Sequence, residues 1–342
     1  EAADGSHPPM PPADYAKSLQ DAGFGLNPSM VKPMPSWASE VWRQDTCKAL
    51  AALIHHIDQS TYADRVIGFH LASGESQEWF MWQSSRGLTT DFSQPNRNRF
   101  RQWLRERYAS DGALQKAWVQ PTVTRATAEI PPLSVRKKTD FGTLRDPAKE
   151  QWVIDYLTYN SWLVADTIDC LAKGVKTASG GQKLAGAAYG YVVGLAGEPR
   201  QQLSGHHDLD RLLRSPNIDF LYSPALYWEF RDLKTGTPAT MSLLGSAYLH
   251  GKAWVNETDF HTSITSGKAP FGEGDTIDDD VLQQRRVQGW VLANGLRQGW
   301  FNVGGINYDD PRVRQEIAKQ TALALRAQDL DRTPVDKVAF IV

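Results

Sequence analysis

The run Trp254-Val255-Asn256-Glu257-Thr258-Asp259-Phe260-His261-Thr262 gathers two carboxylates, an amide, two hydroxyls and an imidazole directly after a β-prone segment. A half-buried strand seldom spends so many polar groups in a row unless they converge on a ligand. The run therefore predicts an active-site glutamate, Glu257, at the C-terminal end of a strand. Chemistry with one carboxylate at its centre usually needs a second. Glu75 and Glu78, in the polar stretch Ala72-Ser73-Gly74-Glu75-Ser76-Gln77-Glu78-Trp79, follow another apolar segment and are the candidates.

Other groups that can do chemistry are fewer. Gly205-His206-His207-Asp208-Leu209-Asp210 has the residue types of a metal site. However, Asp208 falls where a helix N-cap belongs, and no second ligand cluster has matching spacing. Asp278-Asp279-Asp280 lies in the first turn of an expected helix, where carboxylates suit the macrodipole better than they suit calcium. Neither metal nor cofactor is expected. Cys47 and Cys170 are the only cysteines, so there is no disulfide framework, and two buried free thiols are expected.

Composition narrows the classes. The 342-residue chain is 41% hydrophobic and 22% charged, as an ordinary globular protein is. A net charge of −2 leaves no electrostatic footprint for nucleic acid or an anionic membrane surface. No apolar run approaches the ~18 residues of a membrane span. Twelve tryptophans and eleven tyrosines allow either an aromatic core or stacking surfaces for ring-shaped ligands.

The elements that must position these groups alternate. Residues 1–38 are Pro-rich loop, and Ser39-Glu40 opens a helix. Strands are expected at 65–71, 183–191, 218–222 (stopped by Ser223-Pro224), 253–258 and 299–303. Helices are expected at 96–108, 111–119, 148–174, 208–214, 277–295 and 311–326, the last capped by Asp310-Pro311. Strand alternating with helix predicts a parallel sheet with right-handed crossovers. Polar and aromatic residues gather at the strands' C-terminal ends: His70 to Glu78, Tyr189 to Tyr191, Tyr222, Asn256 to His261 and Asn302. No G-x-G-x-x-G or G-x-x-x-x-G-K-[ST] follows any strand, so a (β/α)8 barrel is favoured over a nucleotide-binding sheet.

Five strands fall short of eight. The expected organisation is residues 39–330 as the C-terminal five-eighths of a barrel, without its first three β/α units, and 331–342 as the start of a following domain. An isolated chain of that kind would be unstable or inactive. Numbered backwards from the helix at 311–326, the strand at 65–71 becomes the fourth and the Glu257 strand the seventh. Carboxylates at those two places suit glycoside hydrolysis, in which one carboxyl protonates the leaving oxygen and the other attacks the anomeric carbon.

Here the sequence resembles the family 42 β-galactosidases, of glycoside hydrolase clan A. The similarity lies in Ile67-Gly68-Phe69-His70 leading to a glutamate, in Phe100-Arg101-Gln102-Trp103-Leu104-Arg105-Glu106-Arg107-Tyr108, in Leu114-Gln115-Lys116-Ala117-Trp118, and in Glu257-Thr258-Asp259 with Thr262. The chain departs from that pattern where His261 replaces an arginine. It departs again before the acid/base, where Gly74 precedes Glu75 and Gln77 precedes Glu78 in place of asparagine. The resemblance implies a retaining β-glycosidase acting on an oligo- or polysaccharide, with Glu257 as nucleophile. Glu78 is its acid/base, with Glu75 as the alternative; Gln77 would supply the missing amide and Trp79 a sugar-facing wall. Asn256, Asp259 and His261 would hold Glu257 and contact hydroxyls, and Tyr222 would hydrogen-bond the nucleophile. His70, Tyr189, Trp228 and Trp300 complete the expected substrate contacts, and a homo-oligomer through further domains is expected. The alternative function is a carbohydrate-binding or scaffold barrel with a degraded catalytic pair.

Overall fold

Polar caps set where the helices begin. The computed structural model describes residues 34–87, 91–136, 144–196, 200–265, 274–302 and 307–331. Helix α1 (Glu40–Asp58) starts where the Ser39 hydroxyl accepts from the Trp42 N–H at 3.2 Å. After strand β1 (Gly68–Leu71), Ser93 and Ser110 cap α2 (Gln94–Arg107) and α3 (Asp111–Trp118) in the same way. A single turn, α4 (Leu133–Arg136), precedes the long helix α5 (Pro147–Ala178), which opens on Asp146 and Pro147. Then come β2 (Leu184–Ala188), α6 (Arg200–Leu203), α7 (Leu209–Arg214), β3 (Phe220–Pro224), α8 (Leu244–Leu249) and β4 (Ala253–Thr258). Helix α9 (Ile277–Ala293) has a complete capping box between Thr276 and Asp279. Strand β5 (Arg297–Trp300) and helix α10 (Pro311–Ala327), capped by Asp310, end the described chain.

The five strands form one parallel sheet in the order β1-β2-β3-β4-β5. Consecutive parallel strands with helical crossovers make this a partial (β/α) barrel. No helix among the described residues is long and apolar enough to cross a membrane. The chain divides into two compact units, the first Glu1–Leu221 with Gly245–Lys252, the second Tyr222–Leu244 with Ala253–Val342.

In the first unit β1 pairs with β2 from Gly68↔Leu184 to Leu71↔Ala187. Gly186 lies where an added Cβ would fall 2.5 Å from the Phe220 ring, so only glycine lets that ring cross the strand. Helix α5 buries Val153, Tyr156, Leu163, Val164, Ile168 and Val175 in the core. Its Asp155 carboxylate, with a fully buried side chain, accepts from Arg107 Nε (3.0 Å), Tyr108 Oη (2.6 Å), Trp118 Nε1 (2.7 Å) and Gln151 Nε2 (2.8 Å). Burial, and then the bond to Asp155, push the Tyr108 phenol up to about 12. Phe100, Leu104, Leu114 and Trp118 are buried too. The segments 100–108 and 114–118, which carry part of the family resemblance, thus fasten α2 and α3 onto α5. In the second unit β4 pairs with β5 from Val255↔Arg297 to Thr258↔Trp300.

Several expectations need correction. The segment before β1 winds into a 3-10 turn at Ala63–Arg65, so the strand covers 68–71 and not 65–71. Strand β2 stops at Ala188 because Tyr189 turns inward, its hydroxyl donating to Gly205 O at 2.8 Å. Strand β3 runs through Pro224 instead of stopping at Ser223, with the proline in its last position. Gly295, at φ +63, lets the backbone leave α9 early, and β5 forms at 297–300. The cysteines are half-buried rather than buried, and the Cys47 thiol is raised by burial and by a bond to Cys170. The segments 1–33 and 332–342 and residue Val303 lie outside the described residues.

Candidate active site

In the first unit the chain leaves β1 through a tight loop, 72–80. Gly74 (φ +76), Ser76 (φ +56), Gln77 (φ +63) and Trp79 (φ +63) all adopt left-handed backbone. For the three non-glycine residues this costs on the order of 1–3 kcal/mol each, and such strain persists only where surrounding contacts impose it. Trp79 N–H donates to Ser73 O at 2.7 Å, Glu75 N–H to Phe80 O at 3.1 Å and Met81 N–H to Ser204 O at 2.9 Å. A Cβ at Gly74 would lie 2.5 Å from Phe80 O, so the loop closes only over glycine.

The loop separates the two candidate acids. Glu75 accepts from Ser84 Oγ (3.1 Å), Ser85 N (2.9 Å) and Ser85 Oγ (3.0 Å), and pairs with Arg200 Nη2 at 3.4 Å. Both of its oxygens are engaged in holding the loop. Glu78, half-buried, accepts at Oε1 from the Tyr191 hydroxyl at 2.8 Å. Tyr191 is itself almost wholly buried and meets the Phe80 ring edge-on at 5.4 Å.

Two expected partners of Glu78 are placed elsewhere. Gln77 is exposed, turned to solvent by its left-handed backbone. Trp79 is 0% exposed, its Nε1 donates to Leu71 O at 2.8 Å and its ring lies 5.3 Å from Trp37. It is a plug under the loop and offers no face to a sugar. Tyr189 is equally buried, hydrogen-bonded to Gly205 O and Ser161 O, so its expected substrate contact is also corrected. His70 is exposed on β1, with its ring centroid 6.4 Å from that of Phe220.

In the second unit β4 alternates. Trp254, Asn256 and Thr258 are buried, and Ala253, Val255 and Glu257 are half-buried on the opposite face. The register places Gln298 beside Asn256 and Trp300 beside Thr258. Trp300 Nε1 donates to Gln284 Oε1 of α9 at 3.0 Å, so this face is turned toward the helix. Glu257 points the other way, beside Gly299, where an added Cβ would meet open space. Trp300 and Asn256 (Nδ2 to Thr258 Oγ1, 3.1 Å) therefore lie on the helix side of the sheet. Neither is a substrate contact as expected from the sequence, because strand alternation puts them opposite Glu257.

Asp259 is corrected as well. It is 1% exposed, pairs through Oδ1 with Arg231 Nη2 at 2.6 Å and accepts at Oδ2 from the Tyr227 hydroxyl at 2.9 Å. Arg231 lies over the Tyr227 ring at 4.0 Å and Phe260 at 4.8 Å, and donates to Ala225 O at 2.8 Å. The pair braces the chain just after Glu257 instead of touching a ligand. Tyr308, unremarked in the sequence, donates to Thr258 O at 2.6 Å. Its phenol is held well above the usual range by burial first, then by the negative charges of Asp259 and Glu257. The only sequence signal for it is an aromatic residue just ahead of the Asp310-Pro311 cap. Tyr222 and His261 are half-buried, and Trp228 is 64% exposed at φ +58.

The histidine-rich segment is structural. His206 is fully buried, and its Nδ1 accepts from Gly190 N (3.2 Å) and Tyr191 N (3.3 Å). Asp208 stands at the N-cap position of α7, as expected, without a side-chain hydrogen bond to the helix. Asp280 accepts from the Ser263 N–H and hydroxyl, and Asp279 belongs to the capping box. Among the described residues no group of three or more His, Cys, Asp or Glu is placed to hold a metal ion.

The fold is similar to that of the catalytic domain of β-amylase from Paenibacillus polymyxa, with a TM-score of 0.53 at 13% identity over 84% of this chain and 78% of that one. It is also similar to the β-galactosidase of Rahnella sp. R3, with a TM-score of 0.50 at 15% identity over 86% of this chain and 40% of that one. For the β-galactosidase of Marinomonas ef1 the values are 0.52 and 12%, over 96% and 50%. The chain thus spans half or less of the two galactosidases it matches. No protein-family model matches the sequence, and no curated protein is similar to it in sequence. At these identities the likeness carries the fold alone, a (β/α) barrel.

Proposed function

We propose that this barrel is a retaining β-glycosidase of clan A in which Glu257 is the nucleophile and Glu78 the acid/base. The observation that carries the reading is Glu78 itself. It is half-buried, engaged by the Tyr191 hydroxyl and presented by a strained loop at the C-terminal end of β1, three strands before the one that carries Glu257 near its own C-terminal end. Ligand chemistry in barrels gathers at those ends. Glu75, its oxygens occupied by serines and Arg200, is assigned to holding the loop.

In the first step the Glu78 carboxyl gives its proton to the leaving oxygen while the Glu257 carboxylate attacks the anomeric carbon. The C–O bond to the leaving group breaks and a glycosyl ester forms. In the second step Glu78, now a carboxylate, takes a proton from water. That water displaces Glu257 and releases the sugar with its configuration retained. Tyr222 and His261 are assigned to the nucleophile's surroundings, His70 to the substrate, and the exposed Trp228 to a stacking position on an oligosaccharide. A β-galactoside is the first substrate to try, given the resemblance in sequence.

A 2-deoxy-2-fluoro-β-galactoside with a dinitrophenyl leaving group should label Glu257, as read by peptide mass spectrometry. Glu78→Ala should lose at least about 100-fold in turnover of substrates with poor leaving groups, while azide, which needs no base to displace Glu257, should speed its turnover of a dinitrophenyl galactoside and yield the β-glycosyl azide. Glu75→Gln, in contrast, should reduce stability more than turnover. A second reading, a sugar-binding barrel without turnover, draws on the burial of Trp79, Asn256 and Asp259. Sugar binding with no aryl glycoside cleaved and no label on Glu257 would favour it.

A further inference from the structure

We propose that Tyr191 and His206 are positioning residues for Glu78: His206, as an uncharged acceptor, fixes the Gly190–Tyr191 backbone, and that fixes the tyrosine hydroxyl on the Glu78 carboxyl group. The inference rests on reading Glu78 as the acid/base.

The geometry forms a chain of dependence. Nδ1 of His206 accepts from two consecutive backbone N–H groups, Gly190 at 3.2 Å and Tyr191 at 3.3 Å. An imidazolium has no lone pair on Nδ1, so protonation would turn this acceptor into a third donor facing two others. The ring is held by stacking on both faces, against Phe80 at 4.2 Å and 15° and against Tyr189 at 4.8 Å and 26°. Beyond Phe80, the Arg200 guanidinium lies 3.7 Å from that ring's centroid. Burial first, and then the Arg200 charge, hold the imidazole well below its ordinary pKa. Gly190 is required by its φ of +84, a left-handed backbone that other residues rarely adopt.

The outcome is a tyrosine with little freedom. Its ring meets Phe80 and His206 edge-on at 5.4 and 5.1 Å, and its hydroxyl donates to Glu78 Oε1 at 2.8 Å. That bond fixes how the Glu78 carboxyl group is turned. The same donor supports the carboxylate that must later act as base. Among the described residues, the titratable and charged groups packed around this loop include Glu75 within it, Arg200 of α6, Tyr191 from the end of β2, and His206 with the exposed His207.

A donor on a carboxylate favours its charged form, so removing it raises the pKa. In the full chain, Tyr191→Phe should move the alkaline limb of kcat/KM for 4-nitrophenyl β-D-galactopyranoside upward by about one pH unit. His206→Asn, whose Oδ1 can accept in place of Nδ1, should keep the wild-type limb, and His206→Phe should move it as Tyr191→Phe does. A wild-type limb in both Tyr191→Phe and His206→Phe, alongside loss of turnover in Glu78→Gln, overturns the positioning role. Full turnover in Glu78→Gln instead removes the acid/base reading. The contact is then tested directly by 13C titration of the Glu78 carboxyl: an upward shift in Tyr191→Phe supports it, and no shift overturns it. That measurement also serves if His206→Phe fails to fold.

Discussion

Arg231 and Asp259 meet at 2.6 Å with both side chains 1% exposed, two residues beyond Glu257. A pair so placed has lost almost all of its hydration, and it is sustained by hydrogen bonds on both partners. Ala225 O and Leu226 O receive the guanidinium's other donors, and Tyr227 donates to the second carboxylate oxygen. Removing one partner strands the other charge in the interior. Asp259→Ala should therefore destabilise the protein by roughly 3–5 kcal/mol, and the double variant Arg231→Met, Asp259→Leu should recover part of that. Denaturant unfolding of the three variants checks it; equal stability of Asp259→Ala and the double variant would contradict the account.

Trp79 and Trp228 are opposites in burial, at 0% and 64% exposed. Trp79→Ala should cost about 3–5 kcal/mol, as a large buried aromatic does. Trp228→Ala should leave the unfolding midpoint nearly unchanged while raising KM for oligosaccharides more than for an aryl monosaccharide. Thermal melts with a two-substrate kinetic comparison separate the two residues.

Asp155→Ala should be strongly destabilising for a different reason. The side chains of Tyr108, Trp118, Gln151 and Arg107 donate to that carboxylate, and the first three would be left without it in the gap between α2, α3 and α5. A loss of roughly 3–5 kcal/mol is expected, with native-state hydrogen exchange quickening first in α2 and α3. No change in exchange there would show that the residue is not what fastens them.

His206 also makes a prediction about pH. Its pKa in the fold lies well below the ordinary 6.5, because burial and Arg200 oppose the charged form. The unfolded chain takes up this proton as pH falls through about 6.5, while the native state does not. The neutral ring's stabilising effect is therefore whole above that pH and diminishes below it. The slope approaches about 1.4 kcal/mol per pH unit until the folded pKa is reached. Urea unfolding of wild type and His206→Asn between pH 7 and pH 5 should show a shallower decline in the variant. Parallel curves would reject the assignment.

Much of the fold was legible in the primary structure because the signals are local. Ser39, Ser93, Ser110, Asp146, Thr276 and Asp310 cap helices through atoms two or three residues away. The strand bearing Glu257 lies at 253–258, as its run of β-prone residues indicates. Strand ends were less legible. Tyr189 leaves the sheet for carbonyl oxygens contributed by Ser161 and Gly205, and no neighbour in the chain announces that.

By itself the sequence determined the helix and strand alternation, the parallel sheet, and the two loops in which candidate carboxylates stand. Composition and spacing suffice there because capping, periodicity and turn chemistry act over a few residues. Only the tertiary structure decided what each polar or aromatic side chain does. Asn256 and Trp300 sit one pleat away from the face that Glu257 uses, Asp259 is consumed by Arg231, and Trp79 is a plug. Between Glu75 and Glu78, three positions apart, the sequence preferred Glu78 for the sake of Gln77 and Trp79, of which the first is exposed and the second buried. The two glutamates differ because Ser84, Ser85 and Arg200 reach one, and Tyr191, 113 residues away, reaches the other. Burial and long-range hydrogen bonding depend on where the whole chain has gone, and no local pattern carries that information.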